Sequence, residues 1–134
     1  MRSLMPVKVR FFELDPYGHV NHAVYVQYFE VGRIELLEMA GFSMAGLQDE
    51  GIRMVVTALE SRFLRPAVAG DDLQVETEVA EIHRASLRFF QRIVCDDEVV
   101  ATQRTTAATI DRRDRPTRIP PALVAALAVA GPDA

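Results

Sequence analysis

Leu14-Asp15-Pro16-Tyr17-Gly18-His19-Val20-Asn21-His22-Ala23-Val24-Tyr25 decides how this chain folds, because it runs from a tight turn straight into the longest helical pattern present. Asp-Pro-x-Gly is a type I turn signal, with Asp at the first position, Pro supplying a preset φ at the second and Gly at the fourth. Asn21 then stands where an N-cap is wanted, and a helix is predicted from His22. The first turn of a helix has backbone N–H groups without intrahelical partners and the positive end of the dipole, so it suits an oxyanion. Beside it stand one carboxylate, Asp15, and two imidazoles, His19 and His22. Those are parts for attacking a polarised carbonyl, or for activating water against one.

Working outward, Tyr25, Phe29, Gly32, Leu36 and Ala40 fall on one helical face, with Tyr28 and Met39 beside them and Gln27, Glu30 and Glu38 largely elsewhere. Gly41 is placed to end this helix. Gly32 costs it about 1 kcal/mol relative to Ala, which reads either as close packing against a sheet or as a tolerated defect. Upstream, Val7, Val9 and Phe11 alternate with Lys8, Arg10 and Phe12, which predicts a first strand there. Downstream, Met54 to Leu64, Leu73 to Ile82, Ser86 to Val94 and Val99 to Ile110 read as four strands. The segments between them are short enough to be hairpin connections, which predicts an antiparallel meander. Such a sheet can cover one long helix on a single face, giving an α+β domain over residues 1–134. After Pro120-Pro121, Ala122 to Ala130 reads as a short Ala-rich helix.

Composition narrows the function classes. A hydrophobic fraction of 49% with 25% charged residues suits a globular protein rather than a disordered one. The net charge of -4 gives no reason to expect nucleic acid. Lys8 is the only lysine, so the basic side chains are almost all Arg, the better bidentate partner for phosphate. Arg84, Arg88 and Arg92 recur at even spacing, which reads as a solvated strand face or as a phosphate-facing track extended by Arg112, Arg113, Arg115 and Arg118. Cys95 is the only cysteine and has no evident His partner, so a buried thiol is expected rather than a nucleophile, and a reducing compartment fits. No window approaches the roughly 20 apolar residues of a membrane helix, and no signal-peptide core is evident, so a cytoplasmic protein without membrane partners is expected. There is no Gly-x-Ser-x-Gly elbow and no Gly-rich phosphate loop. Asp15, His19 and His22 lack an evident fourth ligand, so neither a metal nor another cofactor is expected.

One strand, an Asp-containing turn, one long helix and four strands resemble the hotdog fold, and Asp15 to Tyr25 resembles the entry signature of the 4-hydroxybenzoyl-CoA thioesterase family. Phe63-Leu64-Arg65-Pro66 with Gly70-Asp71-Asp72-Leu73 is similar to the family's strand, Pro and Gly-Asp pattern. The resemblance implies an acyl-CoA thioesterase with a sheet wrapped around a central helix. It implies Asp15 as nucleophile or general base, the His22 backbone N–H as the carbonyl-polarising donor, Gly18 shaping the loop, and Tyr25 as the helix aromatic. Arg84 and Ser86 match a region that contacts the nucleotide end of CoA in the family. The site is then expected at a subunit interface, in a homodimer or homotetramer. CoA enters only as part of the substrate. His19-Val20-Asn21 also resembles plant-type acyl-ACP thioesterases, in which an Asn and a His join the Asp. Tyr17 stands where that Asn would be, so the simpler Asp-plus-helix arrangement is favoured and the role of His19 stays open. An acyl carrier protein in place of CoA, or a non-catalytic acyl-ligand binder of the same fold, are the alternatives.

Overall fold

Buried Leu87, Phe89, Gln91, Ile93 and Cys95 alternate with the less buried Arg88, Phe90, Arg92 and Val94, the period of a strand with one face on the core. That strand, β4 (Ser86–Cys95), lies at the centre of a computed structural model that describes residues 1–128. The others are β1 (Arg2–Lys8), β2 (Arg53–Phe63), β3 (Asp72–Ile82) and β5 (Glu98–Ile110). They form one antiparallel sheet in the order β1-β3-β4-β5-β2. The long helix α1 (His22–Met39) packs on the inner face, with α2 (Met44–Asp49) and α3 (Pro121–Leu127) at one end. This is the α+β hotdog architecture, a sheet around one central helix.

The position of α1 follows from two adjacent residues. A Cβ on Gly32 would stand 2.8 Å from Val75 Cγ1, 2.9 Å from Thr77 Oγ1 and 3.0 Å from Gln91 Nε2, so the helix meets β3 and β4 at a distance only hydrogen allows. Next to it Arg33, 8% exposed, donates from Nη1 to Gln91 Oε1 at 3.0 Å, Gln103 Oε1 at 2.8 Å and Thr105 Oγ1 at 3.3 Å. Gln91 Nε2 returns a bond to the Phe29 carbonyl at 2.7 Å and another to Thr77 at 2.9 Å. Apolar clusters lie on either side of this polar layer. Val20, Tyr25, Phe29, Val75, Ile93 and Val100 surround the first half of the helix, and Leu36, Leu37, Leu87, Phe89, Ile119 and Leu123 the second.

The structure departs from the sequence-based expectations in three places. The first strand covers Arg2–Lys8, not Val7 to Phe12. Pro6 is tolerated there because β1 is an edge strand. Beyond Val9 the chain leaves the sheet, Glu13 Oε1 accepts from the Arg10 N–H at 2.8 Å, and Phe11–Glu13 forms a single 3-10 turn with Phe11 82% exposed. The four downstream strands are not a simple meander either. β2 pairs with β5 rather than β3, so residues 64–71 cross the end of the sheet instead of closing a hairpin, and only β3, β4 and β5 run as neighbours. Turn length cannot reveal this, because the competition between β3 and β5 for β2 is settled by packing over α1. The third departure is α2, whose Ser43 N-cap accepts from the Gly46 N–H at 2.9 Å. The expected C-terminal helix is present as α3, Pro121–Leu127, and its predicted end near Ala130 lies outside the described residues. No helix among those residues is long and apolar enough to cross a membrane.

Helix propensity favours Ala over Gly by about 1 kcal/mol, whereas overpacking a filled core costs about 1–3 kcal/mol. Val75, Thr77 and Gln91 are fully buried and cannot give way. Gly32→Ala is therefore expected to destabilise the fold by about 1–2 kcal/mol in urea denaturation, the reverse of the propensity effect.

Candidate active site

Asp15 to Gly18 forms the predicted turn, with the Gly18 N–H donating to the Asp15 carbonyl at 3.1 Å and Gly18 at φ +79°. The Asp15 N–H also donates to the His19 carbonyl at 2.6 Å, and Leu14 bridges Val20. The result is a miniature hairpin, a type I turn followed by a left-handed glycine. Its carboxylate works inside the turn: Asp15 Oδ1 accepts from the Tyr17 N–H at 2.8 Å and the His19 N–H at 3.1 Å. Oδ2 takes no protein donor among the described residues, and the side chain is half-buried. One oxygen is thus fixed by backbone while the other is open to a ligand.

The hairpin leads directly into α1. Asn21 Oδ1 accepts from the Ala23 N–H at 2.9 Å, and the Asn21 carbonyl accepts from Val24 at 2.9 Å and more weakly from Tyr25 at 3.4 Å. The His22 N–H, at the first helical position, meets no protein acceptor among the described residues. It is an open donor at the positive end of an 18-residue helix. The His22 ring is exposed and stands edge-on to Phe63, with centroids 6.4 Å apart. Tyr25 lies deeper, its ring 5.5 Å from Phe63, and its hydroxyl accepts from the Ala67 N–H at 3.0 Å. Burial pushes the Tyr25 phenol up, and the nearby Asp71 and Asp15 charges add to that against the Ala67 bond and Arg65. Asp15, Gly18, His19, His22 and Tyr25 therefore meet at one end of the sheet. Among the described residues, no three His, Cys, Asp or Glu side chains gather as a metal centre would require.

Arg84 and Ser86 lie elsewhere. Both precede or begin β4, whose ten residues span roughly 30 Å before reaching the Asp15 end. Arg84 lines an open depression of about 500 Å³ with His83, Arg118 and Ile119. Neither Arg84 nor Arg118 forms an ion pair among the described residues. The even-spaced arginine track is not continuous: Arg92 binds Glu76, with Nε to Oε2 at 2.8 Å, and Arg88 lies 3.6 Å from Glu81. A single-strand reading could not see that the neighbouring strand supplies these carboxylates in register. It also missed an open furrow between α1 and the inner face of β2. Val56, Leu59 and Phe63 belong to that face, pairing with Ala107, Thr105 and Ala101, yet remain 46–48% exposed.

The Asp15 turn thus leads directly into the N-terminus of the central helix of a hotdog scaffold. Residues 9–127 match the model of the Thioesterase-like superfamily, and the chain belongs to that superfamily. It is 33% identical over 116 residues to a chloroplastic acyl-acyl carrier protein thioesterase of Arabidopsis thaliana, an alignment covering 85% of this chain and 62% of the relative. The chain thus spans less than two thirds of that relative's length. It is 37% identical over 89 residues to the acyl-CoA thioester hydrolase YbgC of Escherichia coli, covering 66% of each. A Thermus thermophilus thioesterase solved with coenzyme A and Zn superposes with a TM-score of 0.82 at 31% identity, covering 92% of this chain and 90% of that one.

Cys95 is 3% exposed, and burial raises its thiol, reinforced by the Asp71 and Asp96 charges. In native protein at neutral pH it should react with an aromatic disulfide reagent on the order of 100-fold more slowly than in denatured protein. Absorbance kinetics with and without denaturant check this.

Proposed function

We propose that this chain is an acyl-CoA thioesterase, releasing a free acid and CoA. The observation that carries it is that Asp15 Oδ2 and the His22 N–H, on either side of the entry to one helix, both lack a protein partner among the described residues. The thioester carbonyl oxygen accepts from the His22 N–H, and the helix dipole favours the negative charge that builds there. As general base, Asp15 takes a proton from water while the water oxygen attacks the carbonyl carbon. The carbon–sulfur bond then breaks, and the thiolate, the anion of a group with an ordinary pKa near ~8.5, leaves without prior protonation. As nucleophile, Asp15 instead attacks the carbonyl carbon, the carbon–sulfur bond breaks to release the thiolate, and water opens the resulting anhydride to the free acid and the Asp15 carboxylate. A thioester is activated enough for either route without a catalytic triad. His19 and Tyr25 border the substrate, Gly18 keeps the turn in shape, and the furrow between α1 and β2 takes the acyl group.

Arg84 and Arg118, with Ser86 alongside, would hold the phosphates of the nucleotide end. Because they stand at the far end of the sheet from Asp15 in the same chain, a pocket using both draws them from two copies. The exposed edge strand β2, with Val55, Val56 and Leu59 uncovered, supports pairing with a second copy in a homodimer. A two-fold axis across antiparallel edge strands sets the Arg84 end of one copy beside the Asp15 end of the other. The Arabidopsis relative favours a second reading, in which the acyl group arrives on a carrier protein. Free CoA then inhibits little, whereas it competes in a true CoA enzyme.

With a panel of aromatic, short-chain and long-chain acyl-CoAs and thiol release as the assay, Asp15→Asn is expected to lose at least about 100-fold in kcat while keeping fold and ligand binding. Near-wild-type hydrolysis by this variant would reject the assignment. Mixing Asp15→Asn and Arg84→Ala chains under exchange conditions should recover about a quarter of wild-type activity, since half the dimers hold one intact site of two. Recovery of nothing would place both residues' roles within one copy.

A further inference from the structure

The Asp15 hairpin has little apolar anchoring of its own. Phe11, Phe12 and Tyr17 are 82%, 69% and 83% exposed, and only Leu14 and Val20, bridged at the base of the turn, pack against the core. Catalysis by a carboxylate nevertheless needs placement to within about 0.5 Å. Something must hold this loop in register with the helix it serves.

Two phenols on α1 reach the segments on either side. The Tyr28 hydroxyl donates to Glu13 Oε1 at 2.8 Å, an oxygen that also accepts from the Arg10 N–H at 2.8 Å. The Glu13 backbone carbonyl accepts from the N–H of Asn21, the helix N-cap, at 2.9 Å. Glu13 is therefore tied to α1 through both its side chain and its backbone, two positions before Asp15. On the other side the Ala67 N–H donates to Tyr25, and the Ala67 carbonyl accepts from the Val20 N–H at 2.8 Å, just after the hairpin.

We propose that the Tyr28–Glu13 hydrogen bond is a latch that sets the Asp15 turn against the N-terminus of α1, which makes Tyr28 and Glu13 positioning residues for the hydrolysis. This rests on the thioesterase reading. Tyr28 is 5% exposed, so its hydroxyl needs a partner, and Glu13 is the one it has. Burial pushes the Tyr28 phenol well above its usual value, helped by the hydrogen bond and charge of Glu13. The hydroxyl keeps its proton across the working pH range and remains the donor. Neither side chain needs to touch substrate. A shift of about 1 Å in the carboxylate can cost on the order of 100-fold in rate.

Tyr28→Phe keeps the ring and removes only the donor, while Glu13→Gln keeps an acceptor oxygen in the same place. Tyr28→Phe and Glu13→Ala are expected to lower kcat by about 10- to 100-fold with KM within about two-fold of wild type. Glu13→Gln should retain most activity. Amide hydrogen exchange at Tyr17 and His19, whose N–H groups donate to Asp15, should quicken in Tyr28→Phe and stay near wild type in Glu13→Gln. Unchanged kcat with unchanged exchange would overturn the latch. Slowed turnover without faster exchange would overturn it too, because the hydroxyl would then act on the substrate itself. Wild-type protein that cleaves no thioester defeats the thioesterase reading, and the exchange comparison still decides whether the latch holds the turn.

Discussion

The depth at which α1 sits on the sheet governs the rest of this molecule, and it is set by a glycine and an arginine in succession. Gly32 brings the helix against Val75, Thr77 and Gln91 with no room for a methyl group. Arg33 then places a cation among neutral oxygens of Gln91, Gln103 and Thr105. Removing a guanidinium from water costs several kcal/mol, which an incomplete set of acceptors would not offset. A helix slid by one residue would strand the Arg33 charge among apolar side chains and take from the Gln91 and Gln103 side-chain oxygens their charged donor. Apolar packing alone tolerates such sliding far better. The polar layer fixes the helix along its axis and about it, and so fixes where its N-terminus emerges.

On the proposed reading that terminus is half of the site, and the hairpin before it is the other half. The Asp15 carboxylate has divided duties: one oxygen closes the turn through the Tyr17 and His19 amides, and the other has no protein donor among the described residues. Holding one oxygen on backbone donors limits rotation of the carboxylate, so the open oxygen faces one direction without a second side chain to orient it. On the proposed reading this substitutes for the orienting member of a triad. It also explains why the turn needs Gly18, since the left-handed residue at φ +79° lets the Asp15 N–H reach the His19 carbonyl and close the loop.

Much of this was legible in the chain because it is local. The turn, the Asn21 cap and the extent of the helix follow from neighbouring residues and from one periodicity, whereas Gly32 reads equally well as a close approach or a tolerated defect until Val75, Thr77 and Gln91 are placed against it. What escaped depends on partners distant in sequence. The pairing of β2 with β5, the carboxylates that neutralise Arg88 and Arg92, and the burial of Arg33 each join residues that no local pattern links. Arg33 is the clearest case. It sits one position from Gly32 on the helical face already assigned to the core, yet its charge argues for solvent until Gln91 and Gln103 are known to face it. The site divides the same way. Asp15, His22 and Tyr25 are gathered by local structure, whereas Arg84 and Ser86 are carried to the far end of the sheet by the run of β4.

The edge strand β2 connects that separation to function. Its inner side chains should be covered by a central helix, yet α1 leaves Val56, Leu59 and Phe63 about half exposed. An apolar edge with free backbone donors and acceptors is an aggregation hazard for a lone chain. It is also the strand bordering the furrow that starts at His22 and Phe63. If a second copy pairs along β2, one event covers the edge, roofs the furrow and brings Arg84 and Arg118 of one chain toward the carboxylate of the other. Moving α1 over to seal β2 within one chain would remove the furrow and leave the acyl group no place beside the Asp15 turn. On this reading, the poor coverage of β2 is the condition for having a site at all.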